Sequence, residues 1–385
     1  MPTNIALSGL NAAFTRARVA ANNIANVSTN GFKQSRVETV AVQGGGVRVA
    51  QVRPQLEQGY LNITDSAFDL GISGNGYFQL NDQGKTVYSR DGAFSVDREG
   101  YIVNSSGQRL QGFQNGGTTP ADLRVDRSVS APTATSEMSL NVNLDATESV
   151  PLTAFDPNDS SSYNHKISTT VYDSLGETHQ MDLYFRNTAV SGSVEMSAYV
   201  DGNQVLAPNT MTFNSAGRLS SSASVSIPGF NVGNGSEDMN ITLNTSEISR
   251  YASDFSVNSI QQDGYSSGSA TAISVGKDGR VSALYSNGET RDVGQVALAD
   301  FPNPQGLSRL GNNGFAQSHE SGSATVGYAG SGSLGQVQAG TLETSNVNLE
   351  EQLIQLKMAQ REVQANVQVL KAEGEMIGSL FRDKA

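Results

Sequence analysis

Helical periodicity is confined to the two ends of this 385-residue chain, and apolar residues between them alternate with a period of two. At the start, Leu7, Leu10, Phe14, Ala17, Ala21 and Ile24 recur at spacings of three and four. At the other end, Leu349, Leu353, Leu356, Val363, Val367, Leu370, Ile377 and Phe381 do the same, with gaps at Gln360 and Gly374. Such spacing draws one apolar stripe along a helix and suits a two-helix seam. Ile354, Met358, Ala365, Val369, Met376 and Leu380 add a second stripe to the C-terminal helix. A single partner helix leaves part of that surface wet. Each large side chain left out of a core forgoes ~1.5–3 kcal/mol, so several neighbours are expected. The alternative is that both helices pack on the chain's own globular core. The gaps at Gln360 and Gly374 admit two readings, sliding between neighbouring helices or close helix contact at Gly374. Asn348 can cap the last helix, with Glu350 and Glu351 at its positive end and Arg382 and Lys384 at its negative end.

In the middle, Met138, Leu140, Val142 and Leu144 alternate with polar residues. So do Met181, Leu183 and Phe185, then Val194, Met196, Ala198 and Val200, then Met239, Ile241 and Leu243. Period two means strands with one buried face. Asn75-Gly76, Asp91-Gly92, Asp201-Gly202, Asp263-Gly264, Asp278-Gly279 and Asn287-Gly288 supply turns. Short strands at this turn density suggest antiparallel sandwiches or barrels without βαβ units. Thr118–Thr135 and Ser149–Tyr163 read as boundary segments, and Ser220–Ser226 and Gly264–Gly268 as loops. The expected fold class is mainly β with terminal α-helices, in two β-sandwich or barrel-like domains plus a helical domain at the ends.

Chemistry finds little purchase. The chain has no Cys, which removes disulfides, thiolate nucleophiles and Cys-ligated zinc. The three histidines, His165, His179 and His319, lack partners at catalytic spacing and read as solvated or hydrogen-bonded surface residues. Gly330, Gly332 and Gly335 match a dinucleotide-loop spacing, but the residues that follow are extended, so a flexible loop is expected. Asp97, Glu99 and Gly100 offer too few oxygens for a calcium loop. The expectation is a non-enzyme with no catalytic, cofactor-binding or metal-binding residues and no cofactor. Net charge is −12, which disfavours nucleic acid. The acidity lies in the middle, since Met1–Arg36 holds Arg16, Arg18, Lys33 and Arg36 and no acid. No run is long and apolar enough to span a membrane, and no charged leader precedes an apolar stretch, so no membrane insertion and no cleaved signal are expected.

Four blocks carry a family resemblance. Ser8–Ala13 with Ala21-Asn22-Asn23-Ile24-Ala25-Asn26 through Asn30-Gly31-Phe32-Lys33 resembles the N-terminal signature of bacterial flagellar rod and hook axial proteins. Leu342–Leu349, which includes Asn346 and Asn348, with Ala359-Gln360-Arg361 beyond, is similar to the C-terminal signature. Ile72–Phe78, with Gly74, Gly76 and Phe78, and Tyr88–Phe94 resemble the shared β region. Short rod proteins have little between these blocks. Here the insertion, with Thr170–Gly176, His179 and Met181–Phe185, resembles the outer domain of the hook branch, and Gly294–Phe301 its return strands.

The resemblance implies a fold and a role. Residues 1–68 and 345–385 would form an inner helical, coiled-coil axial domain with an extended linker. Residues 69–145 and 264–344 would form a discontinuous β domain, and 146–263 an inserted outer β domain. The chain would polymerise with itself into a flexible tube, a universal joint that transmits torque around a central export channel. Its other partners would be rod and hook–filament junction proteins, the hook cap and the flagellar type III export apparatus, and its location the extracellular flagellum. A distal rod subunit or an extracellular β-sandwich adhesin remains the alternative. The apolar positions of both end stripes are the expected subunit contacts.

Overall fold

The computed structural model describes residues 2–114, 117–126 and 128–382, in two compact units. One comprises Met1–Arg127, Ala272–Leu284 and Thr290–Ala385, the other Ser128–Thr271 and Tyr285–Glu289.

The chain opens with the 24-residue helix α1 (Pro2–Ala25). A hairpin of β1 (Ser35–Ala41) and β2 (Val47–Pro54) follows, then β3 (Leu61–Ile63). Next come β4 (Leu70–Ser73), β5 (Tyr77–Asp82), β6 (Lys85–Ser89), β7 (Phe94–Val96), β8 (Ile102–Asn104), β9 (Arg109–Phe113) and β10 (Ala121–Asp122). After the second unit the chain returns through β11 to β18, described below, into β19 (Ala270–Val275), β20 (Arg280–Tyr285) and β21 (Thr290–Asp300). It continues with β22 (Ser308–Arg309), β23 (Gly314–Ala316), β24 (Thr325–Tyr328), β25 (Gln336–Ala339), β26 (Thr341–Glu343) and the 34-residue helix α2 (Leu349–Arg382). Early and late strands interleave: β21 pairs with β5, β9 and β24, β23 with β6, β25 with β4 and β26 with β3. Leu70, Ile72, Phe78, Leu80, Leu110, Leu123, Val296, Leu298 and Val337 fill the core between them. Tyr77, Tyr88, Phe301 and Phe315 form a second cluster in edge-to-face contact.

The second unit is a β-sandwich. Its strands are β11 (Glu137–Asn143), β12 (His165–Tyr172), β13 (Thr178–Asn187), β14 (Ser193–Val200), β15 (Asn203–Thr212), β16 (Ser224–Phe230), β17 (Met239–Asn244) and β18 (Ser256–Gln262). One sheet has the order β16-β17-β11-β18 and the other β12-β13-β14-β15. The alternating residues read from the sequence supply the core, among them Leu140, Val142, Leu183, Phe185, Met196, Ala198, Ile241 and Leu243. At the β14–β15 turn, Asp201 (φ 48°) and Gly202 (φ 79°) both take left-handed backbone, the type I′ geometry that an Asp-Gly pair favours.

Three expectations need correction. Ser224–Ser226 belongs to strand β16 rather than to a loop, because Val225 and Ile227 alternate into the core. The sandwich is not purely antiparallel, since β11 runs parallel to β17. The β1–β2 hairpin stands where an extended linker was expected. The glycine string at 330–335 is a turn between β24 and β25, with no helix at its end. Asp97 makes an ordinary turn, accepting from the amides of Glu99 and Tyr101.

A candidate assembly surface on the paired chain ends

Both terminal segments are held by local chemistry before they meet. Alanine-rich sequence favours helix in α1, and Asn26 Nδ2 bonds the Asn22 carbonyl at the end of the helix (2.8 Å). The chain then turns at Gly31, where φ is 65° and a β-carbon would lie 2.6 Å from the Arg90 backbone. Helix α2 begins at Asn348, whose Oδ1 accepts from the amides of Glu350 (3.0 Å) and Glu351 (3.2 Å), with both acids at the positive helix end.

The helices pack antiparallel, but not along the apolar stripes. Ala6, Ala13 and Ala20 on α1 are buried at intervals of seven, with Gly9, Arg16 and Asn23 on the same face. Opposite them lie Gln352, Ala359, Glu362 and Asn366 of α2. A β-carbon on Gly9 would meet Asn366 Oδ1 at 2.8 Å, and Arg16 Nη1 pairs with Glu362 Oε2 at 2.6 Å. Asn23, fully buried, donates from Nδ2 to Gln352 Oε1 and to the Ser35 carbonyl, and its Oδ1 accepts from the Ser35 amide, each at 2.9 Å. The seam is therefore small and polar. It lies one residue, about 100° of helical rotation, from the stripe read in the sequence.

The stripes face elsewhere. Leu7 is 44% exposed and Phe14 55%, Ala21 is exposed, and Leu10, Ala17 and Ile24 are half-buried. On α2, Leu349, Leu353, Ile354, Met358, Ala365, Val369 and Met376 are exposed, while Leu356, Val363, Val367 and Leu370 are half-buried. The side chains of Ile377, Leu380 and Phe381 lie outside the described residues. Among the described residues, Gly374 makes no close contact, since a β-carbon there meets none of them within 4 Å. The close approach is at Gly9.

The motif residues join the two ends to the β body. Asn346 Oδ1 accepts from the Gln34 amide (2.8 Å), while its Nδ2 donates to the carbonyls of Gln55 (2.8 Å) and Glu57 (3.0 Å). Phe32 is half-buried, and its carbonyl faces the Asn346 amide at 3.4 Å. Gly74 and Gly76 take positive φ, and Phe78 is buried edge-on to Phe94. Asn22 is exposed. Reading by sequence missed a buried charge cluster of Lys33, Arg90 and Glu343. Lys33 Nζ pairs with Glu343 Oε1, and Arg90 Nη1 lies 3.2 Å from Oε2. Burial pulls the Lys33 ammonium below the usual lysine range, although Glu343 beside it pushes the other way. All three residues stood inside the motif blocks, but 253 and 310 positions separate the partners of Glu343.

His179 in the sandwich is another correction. It is buried, with Nδ1 2.6 Å from Asp201 Oδ2 and Nε2 3.5 Å from Asp173 Oδ2. Burial alone would lower its pKa, but the two carboxylates raise it. Burial would raise Asp173, but Asn234, the Glu177 and Leu175 amides and His179 hold it down at about 2. Asp173, Glu177 and His179 could share a cation by type. Asn234 Nδ2 already bridges the two carboxylates, at 2.6 and 2.7 Å, which satisfies them without one. His165 stacks on Phe255 beside Glu148, and His319 is exposed.

The fold and this surface define a class: β-rich structural proteins whose two chain ends meet in one helix pair with apolar stripes turned outward. Comparison with known proteins agrees. Residues 4–33 match the flagella basal body rod protein family, and 71–146 the flagellar hook protein FlgE/F/G D1 domain. Residues 143–265 match the flagellar basal body protein FlaE D2 domain, and 338–382 the flagellar basal body rod FlgEFG protein C-terminal family. The flagellar hook protein FlgE of Salmonella typhimurium is 34% identical over 97% of this chain and 98% of its own length. That of Escherichia coli is 33% identical with the same coverage. A hook protein structure from Helicobacter pylori, 16% identical, shares the fold with a TM-score of 0.55 over 74% of this chain and all of its own. The chain belongs to the flagellar hook protein family, a structural component of the flagellum.

Proposed function

We propose that this chain polymerises with copies of itself into the flagellar hook, a flexible tubular joint that carries torque around a central export channel. In this reading the helical ends (1–68 and 345–385) form the inner axial domain, 69–145 with 264–344 the middle β domain, and 146–263 the outer one. The polymer lies outside the cell, carries no catalysis, and meets rod, junction and cap proteins at its ends after export.

One observation carries the proposal: the intrachain seam uses small and polar residues and leaves Leu7, Phe14, Leu353, Ile354 and Met358 exposed. Full burial of such a side chain is worth ~1.5–3 kcal/mol, and about half of that is still to be gained at each of these half-covered positions, so a set this size favours being covered by neighbouring helices. Electron microscopy of the concentrated full-length protein tests it. Curved, flexible tubes are expected. Straight rigid tubes would indicate a rod subunit, and monomers at all concentrations would overturn the reading.

A further inference from the structure

Glu343 gathers three other stretches of chain around one carboxylate. Its side chain is 0% exposed, that of Lys33 2% and that of Arg90 7%. Oε1 accepts from Lys33 Nζ and from the Gly59 amide (2.9 Å), and Oε2 faces Arg90 Nη1. The Glu343 carbonyl accepts from the Gly31 amide at 2.7 Å. The cations are fixed in turn, Lys33 Nζ on the Glu57 carbonyl (2.7 Å) and Arg90 Nη2 on the Gly74 carbonyl (2.7 Å). Lys33 and Gly59 belong to the segment after α1, Glu343 to the segment before α2, and Arg90 to the β body.

We propose that this cluster is a three-way latch, which makes the roots of the two chain ends dock on the β body together and release together. With only the C-terminal root docked, the Glu343 carboxylate loses Lys33 and the Gly59 amide. With only the N-terminal root docked, Lys33 and Arg90 face each other as buried cations without their anion. A buried ion is tolerated only while its partners are present, and removing one partner disfavours the state on the order of 100- to 1000-fold. Both half-docked states are therefore depleted, and the fully docked and fully released states are the populated ones. The latch would set the positions of α1 and α2 by a single event, whatever later covers their outer stripes.

Hydrogen exchange of the full-length chain, read by mass spectrometry, tests this. In Glu343→Gln, exchange at 31–35, 55–60 and 341–347 is expected to rise together, on the order of 100-fold, while β13 and β14 keep their wild-type rates. Lys33→Met should raise the same three segments together by a smaller factor, because the Arg90–Glu343 pair survives. Should Glu343→Gln also lose protection in β13 and β14, its fold is disturbed and Lys33→Met alone decides. Faster exchange confined to 341–347 in Glu343→Gln overturns the latch. So does a C-terminal root that stays at wild-type rates in Lys33→Met, or a wild-type chain unprotected at all three segments.

Discussion

Gly9 of α1 and Asn366 of α2 approach so closely that a β-carbon on Gly9 would sit 2.8 Å from Asn366 Oδ1. Gly374, read from the sequence as a place for either sliding or close helix contact, meets none of the described residues. The two should respond in opposite ways to substitution. Gly374→Ala removes backbone entropy without a clash and is expected to stabilise α2 locally by about 0.5–1 kcal/mol. Gly9→Leu forces the seam apart and should cost about 1–3 kcal/mol. Hydrogen exchange along α2 distinguishes them: slower in Gly374→Ala and faster in Gly9→Leu.

The outward stripes predict mutations that spare the subunit and abolish assembly. Phe14 and Leu353 are about half exposed and outside the seam. Phe14→Asp or Leu353→Asp therefore leaves no cavity within the chain, and thermal unfolding should change by no more than about 0.5 kcal/mol. Tube formation, followed by sedimentation and microscopy, should disappear in each. Normal tubes from both variants would remove these positions from the subunit contact.

These contrasts show what a one-dimensional reading can reach. The strands of the sandwich were legible because Met181, Leu183 and Phe185 alternate over an unbroken span, and Asp201-Gly202 has the φ freedom its turn needs. Asn348 was legible as a cap because its partners are two and three residues away. The seam was not. Periodicity weights large apolar residues, whereas Ala6, Ala13 and Ala20 are chosen for how closely a second helix can approach. The latch was hidden for a different reason, since the cost of burying Glu343 is met by residues more than 250 positions away. Ser220–Ser226 misled because its serines dominate by count while Val225 alone signals the pleat.

Asn23 acts as a substitute peptide group. Its carboxamide pairs with both the amide and the carbonyl of Ser35, at the first residue of β1, and reaches Gln352 as well. Asn23→Ala leaves buried backbone groups unsatisfied and should destabilise the junction by about 1–3 kcal/mol. Asn23→Asp keeps the acceptor for the Ser35 amide but sets a carboxylate against the Ser35 carbonyl, and should cost at least as much. Differential exchange at Ser35–Ala41 reads the loss. An unchanged β1 in both variants would show that the hairpin holds itself in place without α1.

The His179 site makes the sandwich sensitive to pH on two sides. His179 has a folded pKa raised above its ordinary value of 6.5. Its contribution is thus fully present below about pH 6.5 and is lost as pH rises through the raised value. Asp173 is depressed from 3.8 to about 2, so its contribution is present above about pH 4 and is lost as pH falls toward 2. Stability of this unit should accordingly be greatest between these limits. His179→Gln removes the cation between Asp173 and Asp201, and is expected to cost about 1.5–3 kcal/mol near pH 5.5, the range for hydrogen bonds to charged groups. The penalty should shrink as pH rises, because the wild-type histidine then loses its own charge. Denaturant unfolding of both proteins across pH 5–9 measures the difference. A penalty that stays constant over that range would mean that His179 acts by shape and not by charge.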